Sequence, residues 1–225
     1  MINKLPRTTR RLATLPAAAV SVLALASAPS ATASVPAADT AKSAGSTASV
    51  AKAAPSSCPV VPDRLYAAID RVPLERISPA PEYRNDCRTL YRADGRAPAV
   101  IFKEGFAPKD AVNGQYDLEK YVLKNQPSPF VSTTRDHDLF KKWTKWMKGG
   151  AYNYYIDAPN GIDVNETIGD THKYADQVEV AFPGGVAPRF VIGACPINKE
   201  TNTERMSDCV SNPGFRPVTA ATATR

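Results

Sequence analysis

The composition of this 225-residue chain changes abruptly before its first cysteine, and this change limits which part can fold. Residues 34–57 consist mainly of Ala, Ser, Thr and Val, with Lys42 and Lys52, and contain no side chain large enough to build a core. Such a segment is expected to be a disordered linker or a pro-segment. The folded part is predicted to be residues 58–217, which is long enough for one domain with its own core. The Ala-Thr tail, residues 218–225, is expected to fray.

The first 33 residues have the pattern of a secretory signal peptide. Four basic residues lead into an apolar, Ala-rich run over residues 12–28, and Ala31-Thr32-Ala33 is a small-x-small cleavage site. The protein is therefore expected to be secreted. The formal charge of +6 includes those four basic residues, so the mature chain carries only +2, too little to argue for a protein that coats nucleic acid. No other segment is long and apolar enough to cross a bilayer, so no membrane partner is expected.

The folded part contains four cysteines, at positions 58, 87, 195 and 209. An even number of cysteines in a secreted chain predicts two disulfides, and three pairings are possible. The pairing of sequence neighbours, Cys58–Cys87 and Cys195–Cys209, is preferred. A four-cysteine zinc site is the alternative, but the cysteines include no C-x-x-C pair, so no metal is expected.

The pattern of apolar residues and turns predicts an α+β domain. Short helices are expected over 64–71, 99–104, after Asp117 and through 139–146, and strands over 89–92, 130–134, 152–156, 178–182 and 190–194. The last two strands flank Pro183-Gly184-Gly185 and are expected to pair as a hairpin. The chain has no regular βαβ alternation and no glycine-rich phosphate loop, which excludes a Rossmann fold.

Three groups of polar residues lie in or at the ends of predicted strands: Arg92, Ser132-Thr133-Thr134, and Gln177-x-Glu179. An arginine on a core strand is costly unless it is paired or meets an anion, and a guanidinium suits phosphate. Because strand side chains alternate with period two, Gln177, Glu179 and Ala181 are expected to share one face. Taken alone, that pair is typical of a solvated strand face. A glutamate beside a ribose could also stabilise positive charge at the anomeric carbon.

This order of Arg, Ser-Thr-Thr and Gln-x-Glu, with its flanking residues, resembles the pierisin-like, guanine-specific mono-ADP-ribosyltransferases. The flanks that carry the resemblance are Leu90–Asp94, Val131–Thr134, Tyr152–Asp157 and Ala175–Val180. The resemblance implies an ADP-ribosyltransferase fold of two packed, antiparallel-rich sheets with short flanking helices. It also implies a monomer that transfers ADP-ribose from NAD, its co-substrate, to the exocyclic N2 amine of guanine in DNA, nucleosides or nucleotides, with NAD hydrolysis as a side activity.

The resemblance also implies roles for individual residues. Glu179, Gln177, Arg92 and Ser132 would form the catalytic set, with Glu179 stabilising an oxocarbenium ion. The NAD-binding residues would be Arg92, Ala93, Asp94, Ser132, Thr133, Thr134 and Trp143. Gln177, Tyr174 and Asn125 would contact the acceptor, because an amide can read a guanine edge and a tyrosine can stack on a base.

Several alternatives remain open at this point. Trp143 is as consistent with core packing as with an NAD-side loop, and Trp146 is expected in the core. The segment Trp146–Gly150 contains residues that the family pattern lacks. Lys141, Lys142, Lys145 and Lys148 form a basic helix face that is either simply solvated or steers a phosphate. The same Gln-x-Glu pair would permit transfer to a protein Asn or Gln side chain, and a non-catalytic binding module is a third possibility.

Overall fold

The computed structural model describes Pro59 and residues 61–219. The predicted signal (1–33) and linker (34–57) lie outside the described residues. So does Cys58, and with it the predicted Cys58–Cys87 disulfide. The other predicted disulfide, Cys195–Cys209, is present, and the described part of the chain contains no free cysteine.

Short strands and short helices are intermixed along the chain, which confirms the α+β class. The strands are β1 (Leu90–Asp94), β2 (Phe130–Thr134), β3 (Tyr152–Ile156), β4 (Ile162–Asp163), β5 (Glu179–Pro183), β6 (Val191–Asn198), β7 (Thr203–Glu204) and β8 (Val210–Ser211). The α-helices are α1 (Pro98–Glu104), α2 (Leu118–Lys124), α3 (Phe140–Trp143) and α4 (Val164–Ile168). Single 3-10 turns cover Leu74–Arg76, His137–Leu139, Thr144–Trp146, Ala175–Gln177, Pro188–Phe190 and Met206–Asp208.

The strands form one antiparallel path in the order β4-β5-β2-β1-β3-β6-β7, and β8 pairs with β6. The path has two parts, because β1 and β2 share a single registered pair, Tyr91 with Thr134. In contrast, β1 pairs with β3 along its whole length, and β2 pairs in the same way with β5. The two expected sheets are therefore joined at one residue pair into a continuous path.

Both parts of the path contribute to a common core, which explains why they stay together. The buried residues of this core include Leu90, Tyr154 and Ile156 from one part and Val131, Val180 and Phe182 from the other. Strand β5 is buried on both faces: Val180 and Phe182 enter this core, and Ala181 between them enters a second cluster with Phe130 and Ile162. Because successive side chains of a strand point to opposite faces, β5 contributes to two separate apolar clusters.

Helices α1 and α2 begin and end where their sequences predict. Pro98 opens α1, and Gly105 ends it with a φ of 72°, a conformation that a residue without Cβ adopts easily. The Asp117 side chain caps α2 by accepting a hydrogen bond from the backbone N–H of Lys120. Asn125 ends α2 in the left-handed region at φ 47°. This cap holds Asn125 at the mouth of the cleft described below.

The predicted hairpin between residues 178–182 and 190–194 is wrong. Strand β5 pairs with β2 on one edge and β4 on the other, so neither edge is free for β6, which pairs with β3 instead. Gly184 and Gly185, at φ 74° and 90°, turn the chain away, and each packs so closely on backbone that a Cβ would collide. The Pro188–Phe190 turn then separates the two strands.

Two other predictions are also wrong. Residues 64–71 form turns and bends instead of a helix. Trp146 is not in the core, because 79% of its surface is exposed. Its neighbour Met147 occupies the apolar position next to Phe140, so helical periodicity predicted the wrong one of two adjacent side chains.

Candidate active site

Three neighbouring strands bring the three parts of the sequence motif together. Arg92 lies on β1, Ser132 on β2 and Glu179 on β5, and β2 runs between the other two strands. Thr134 at the end of β2 pairs with both Tyr91 and Glu179. Arg92 and Ser132 are 40 positions apart in the sequence, and Ser132 and Glu179 are 47 apart. The strand pairing nevertheless brings all three to one cleft.

The cleft collects all the predicted catalytic, NAD-binding and acceptor residues except Asp94. Its lining contains Arg92, Ala93, Asn125, Ser132, Thr133, Thr134, Trp143, Tyr174, Gln177 and Glu179, together with Tyr91, Tyr121, Val122, Leu139, Phe140 and Asn153. Asp94 lies beside the cleft, where its carboxylate accepts hydrogen bonds from the side chain and the backbone N–H of Arg96. All the predicted site residues except Asp94 therefore line the same cleft.

The guanidinium of Arg92 is held by one hydrogen bond and by the nearby Asp94 carboxylate. Its Nη1 donates a 2.7 Å hydrogen bond to the backbone oxygen of Ser132. Its Nε is buried without a hydrogen-bond partner and lies 3.5 Å from Oδ2 of Asp94, too far for a strong bond. Arg92 also lines the cleft, so its positive charge is suited to an anionic ligand there.

Glu179 is a buried carboxylate, and only 8% of its surface is exposed. Its Oε1 accepts a 2.8 Å hydrogen bond from the hydroxyl of Tyr121. Burial raises the pKa of Glu179, while hydrogen bonds from Tyr121 and Ser132 and the charge of Arg92 act in the opposite direction. The site therefore contains one oriented carboxyl group whose ionised form depends on these three neighbours.

The residues just before β5 form a tight turn, residues 174–178, which we call the acceptor turn. Gln177 ends a 3-10 helix there and is not part of the strand. Val178 follows in the left-handed region at φ 40°, which is unusual for a β-branched residue. The expected strand alternation of Gln177 with Glu179 is therefore wrong, although both side chains still line the cleft.

Hydrogen bonds from three sides hold the acceptor turn. The hydroxyl of Thr134 donates to the backbone oxygen of Gln177 at 2.6 Å. The backbone N–H of Arg135 donates to the oxygen of Val178 at 3.3 Å. From α4, the side-chain amide of Asn165 donates to the oxygen of Ala175 at 2.9 Å. These bonds compensate for the strained backbone and fix the position of Gln177 relative to Glu179.

The opposite wall of the cleft is the segment that begins with α3. Trp143 lines the cleft and is 42% exposed, which argues against a core position for this residue. The preceding residue, Lys142, forms a 2.5 Å ion pair with Asp176 of the acceptor turn. This ion pair connects α3 to the acceptor turn, beside the two cleft residues Trp143 and Gln177.

Comparison with known proteins identifies this arrangement. Residues 90–215, more than half of the chain, match the family model described as Scabin-like. The chain belongs to the Scabin-like family. The matched region begins with β1 and ends after β8, so it contains every strand and all the cleft residues described above.

Individual relatives agree with this assignment. The Scabin-like chain is 61% identical over 165 residues to a guanine-specific ADP-ribosyl transferase of Streptomyces coelicolor, covering 73% of this chain and 79% of that protein. It is 38% identical to pierisin of Pieris brassicae over 134 residues, which is 56% of this chain but only 15% of pierisin.

Solved structures of a relative share the fold. The Scabin toxin from Streptomyces scabies in complex with NADH superposes with a TM-score of 0.71 and 62% identity, covering 75% of this chain and 100% of that one. A single-residue variant of the same toxin gives a TM-score of 0.69 at 62% identity, covering 72% of this chain and 99% of that one. These similarities confirm the ADP-ribosyltransferase fold.

Tyr121 is the site residue that the sequence analysis missed in this Scabin-like chain. It lies on the buried face of α2 with Leu118 and Val122, and its ring packs against Phe130. Its hydroxyl, however, points to Glu179, and burial raises the pKa of Tyr121 well above its ordinary value. Helical periodicity identifies the face that is buried, but it carries no information about a carboxylate 58 residues away.

The two histidines lie outside the set of predicted site residues. His137 contacts Tyr155 and Glu204, and His172 contacts Asn165, so the two histidines are in different networks. Within residues 61–219, no three His, Cys, Asp or Glu side chains are grouped so that they could hold a metal ion. In the same part of the chain, none of the helices has the length and hydropathy of a membrane span.

Proposed function

We propose that this protein is a mono-ADP-ribosyltransferase that transfers ADP-ribose from NAD to the exocyclic N2 amine of guanine. The observation that carries the proposal is the meeting of Arg92, Ser132 and Glu179 in one cleft, with Gln177 on its rim. Membership of the Scabin-like family supports it, since relatives are named guanine-specific and one was solved with NADH.

NAD is a substrate here, and Arg92 is the main group that would hold it. The guanidinium of Arg92 lines the cleft and suits a phosphate, and Ala93 and the hydroxyls of residues 132–134 line the same surface. Trp143 supplies an aromatic wall on the opposite side. Asp94 would act indirectly, because its carboxylate lies 3.5 Å from Nε of Arg92 and helps to fix the guanidinium.

Glu179 would accept a hydrogen bond from the 2′-hydroxyl of the nicotinamide ribose. The bond between the anomeric carbon and the nicotinamide nitrogen breaks, its electron pair leaves with nicotinamide, and positive charge develops on the ribose ring. A fixed carboxylate stabilises that charge better than water does, because it does not have to reorient. Ser132 and Tyr121 orient this carboxylate.

The acceptor side would be formed by Gln177, Tyr174 and Asn125. The neutral exocyclic amine of guanine attacks the anomeric carbon, a carbon–nitrogen bond forms, and the amine then loses one proton. The Gln177 amide can donate and accept at the same time, which suits the edge of a guanine. Tyr174 is partly buried in the second core cluster, which would keep its ring rigid for stacking.

We further propose that the protein is secreted as a single catalytic domain. The basic and apolar leader with its cleavage site over residues 1–33, followed by the Ala-rich linker 34–57, supports export. The Cys195–Cys209 disulfide agrees with an oxidising compartment. The catalytic domain would then be residues 58–217, with a short tail after it.

The test is to incubate the protein with NAD and, separately, guanosine, an oligodeoxynucleotide or a protein extract, and to identify products by mass spectrometry. We expect guanosine and the oligonucleotide to gain one ADP-ribosyl group on guanine. Label on protein alone would instead favour transfer to an Asn or Gln side chain, and absence of any nicotinamide release would refute enzymatic function.

Two variants separate the roles of the motif residues. Glu179→Ala should abolish both nicotinamide release and transfer, with a circular dichroism spectrum like that of the wild type. Gln177→Glu should lose guanine transfer and keep NAD hydrolysis, because the carboxylate cannot donate to the base. Equal loss of both activities in Gln177→Glu would contradict its role as the acceptor-reading group.

A further inference from the structure

Trp146 is the most exposed large apolar side chain among the described residues, with 79% of its surface accessible. A tryptophan carries a large apolar surface that is favourable to bury, and aromatic residues are enriched where proteins meet partners. Here the indole contributes nothing to the core. The exposure of Trp146 is therefore not explained by the stability of the domain.

The exposure of Trp146 results from an anchored backbone on its C-terminal side. Met147 packs against the cluster of Phe140, Ala151 and Ile197, and its N–H donates to the oxygen of Thr144 at 3.2 Å. The ammonium of Lys199 donates to the backbone oxygens of Met147 and Gly149, both at 2.7 Å. These contacts hold the segment so that Trp146 points outward.

The residues beside Trp146 carry unpaired positive charge. Lys145 and Lys148 are exposed and form no ion pair with any residue in the described part of the chain. The other two lysines of this face are neutralised, since Lys141 pairs with Asp138 and Lys142 with Asp176. An exposed indole between two free ammonium groups, Lys145-Trp146-x-Lys148, is what we call the aromatic–basic patch.

The aromatic–basic patch lies next to the mouth of the cleft. Trp143, three residues before Trp146, lines the cleft, and the ion pair of Lys142 with Asp176 fixes this segment to the acceptor turn. A polymer that places one base against Gln177 would continue over the surface beside the turn. We expect the patch, whose Trp146 follows Trp143 by three residues, to meet the nucleotides next to that base.

We propose that the aromatic–basic patch binds the single-stranded stretch of polynucleotide next to the acceptor guanine. Trp146 stacks on an unpaired base, and Lys145 and Lys148 contact phosphates on either side of it. A positively charged surface with an exposed aromatic ring is the combination that holds single strands without reading their sequence. The proposal rests on the proposed function, because it assigns guanine within a nucleic acid strand as the preferred acceptor.

Direct binding without NAD tests the patch independently of catalysis. A fluorescein-labelled, single-stranded oligodeoxynucleotide with one central guanine is titrated with the full-length protein, and its anisotropy is recorded. We expect Trp146→Ala to raise Kd roughly 5- to 100-fold, the range for loss of one stacked base, while Trp146→Phe stays close to the wild type. Lys148→Gln should lower the dependence of log Kd on log salt concentration by about one unit.

Catalysis provides a second readout that distinguishes the two proposals. Trp146→Ala should reduce kcat/KM for transfer to the oligonucleotide by a similar factor and leave transfer to guanosine and NAD hydrolysis unchanged within about twofold. If the wild type binds the strand through Trp146 but modifies neither guanosine nor the oligonucleotide, the proposed function fails and the binding surface stands.

Met206→Ala is the matched control, since Met206 is 66% exposed, belongs neither to the patch nor to the cleft lining, and its truncation also removes apolar area. The proposal is overturned if Trp146→Ala leaves the oligonucleotide Kd unchanged, or if Met206→Ala weakens binding as much. It is also overturned if Trp146→Ala lowers guanosine transfer in parallel with oligonucleotide transfer, since that result would place Trp146 in the NAD pocket.

Discussion

The hydroxyl of Tyr121 on α2 donates a 2.8 Å hydrogen bond to Oε1 of Glu179 on β5, and both side chains are buried. The bond connects the helix that ends at Asn125 to the carboxylate at the centre of the cleft. It defines the rotamer of Glu179 and stabilises its ionised form, because a hydrogen bond to a carboxylate lowers its pKa.

Removing this hydroxyl should change the pH dependence of the reaction. In Tyr121→Phe the pKa of Glu179 rises further, so the acidic limb of the kcat/KM profile for NAD hydrolysis moves to higher pH. We expect kcat to fall roughly 10- to 100-fold at pH 7, the usual range for a hydrogen bond to a charged group. Tyr155→Phe is the control, because it removes a hydroxyl bonded to Glu204 instead. An unshifted acidic limb would contradict the role of Tyr121.

The buried carboxyl group of Glu179 should reduce stability at neutral pH. Because burial raises its folded-state pKa above the ordinary 4.5, the folded state binds more protons between these two values and loses stability as pH rises through that window. Glu179→Gln, which is neutral, should therefore unfold at a higher temperature than the wild type at pH 7. The difference should narrow as pH falls toward 4.5. Thermal unfolding followed by circular dichroism at several pH values measures both effects.

The ion pair between Lys142 and Asp176 should affect the partition between transfer and hydrolysis. Because both side chains are exposed, we expect a small effect, about two- to fivefold in the transfer-to-hydrolysis ratio for Lys142→Asp or Asp176→Lys. The double variant with the charges exchanged should restore the ratio. High salt should abolish the difference between the single variants and the wild type. A double variant no better than the singles would argue against coupling through charge.

The Cys195–Cys209 disulfide, which joins residues 14 positions apart, should stabilise the end of the domain. Replacing both cysteines by serine should lower the free energy of unfolding by about 3 kcal/mol, the loop-closure value for this length. Denaturant unfolding of the double variant and the wild type measures the loss. The active-site cleft contains none of the residues from β6 to β8. We therefore expect NAD hydrolysis by the folded variant to equal that of the wild type.

Much of the local structure follows from nearby residues. Aromatic and β-branched runs predicted β2 and β3 with the observed bounds, and Pro98 and Gly105 marked the two ends of α1. These features depend on backbone preferences within a few residues, so the sequence contains their causes. The order of Arg92, Ser132 and Glu179 indicated one shared site through the family resemblance that this motif and its flanking residues carry.

The same local patterns did not predict which distant strands pair with each other. The sequence on either side of Gly184-Gly185 favours a hairpin, yet β5 inserts between β2 and β4 because the free energy gained from two neighbours and two buried faces exceeds that of one turn. The left-handed conformation of Val178 is another such case, since a β-branched residue adopts it only where surrounding hydrogen bonds impose it.

The sequence by itself determined the α+β class and the Arg, Ser and Glu motif of the family, because local pattern and residue order record those properties directly. Only the tertiary structure decided how the site is built. It placed Tyr121 against Glu179, began β5 only after Gln177, and left Trp146 in solvent while Met147 packed against the Phe140 cluster. Each of these outcomes depends on which distant surfaces meet, and packing between distant segments overrides the preferences of short ones.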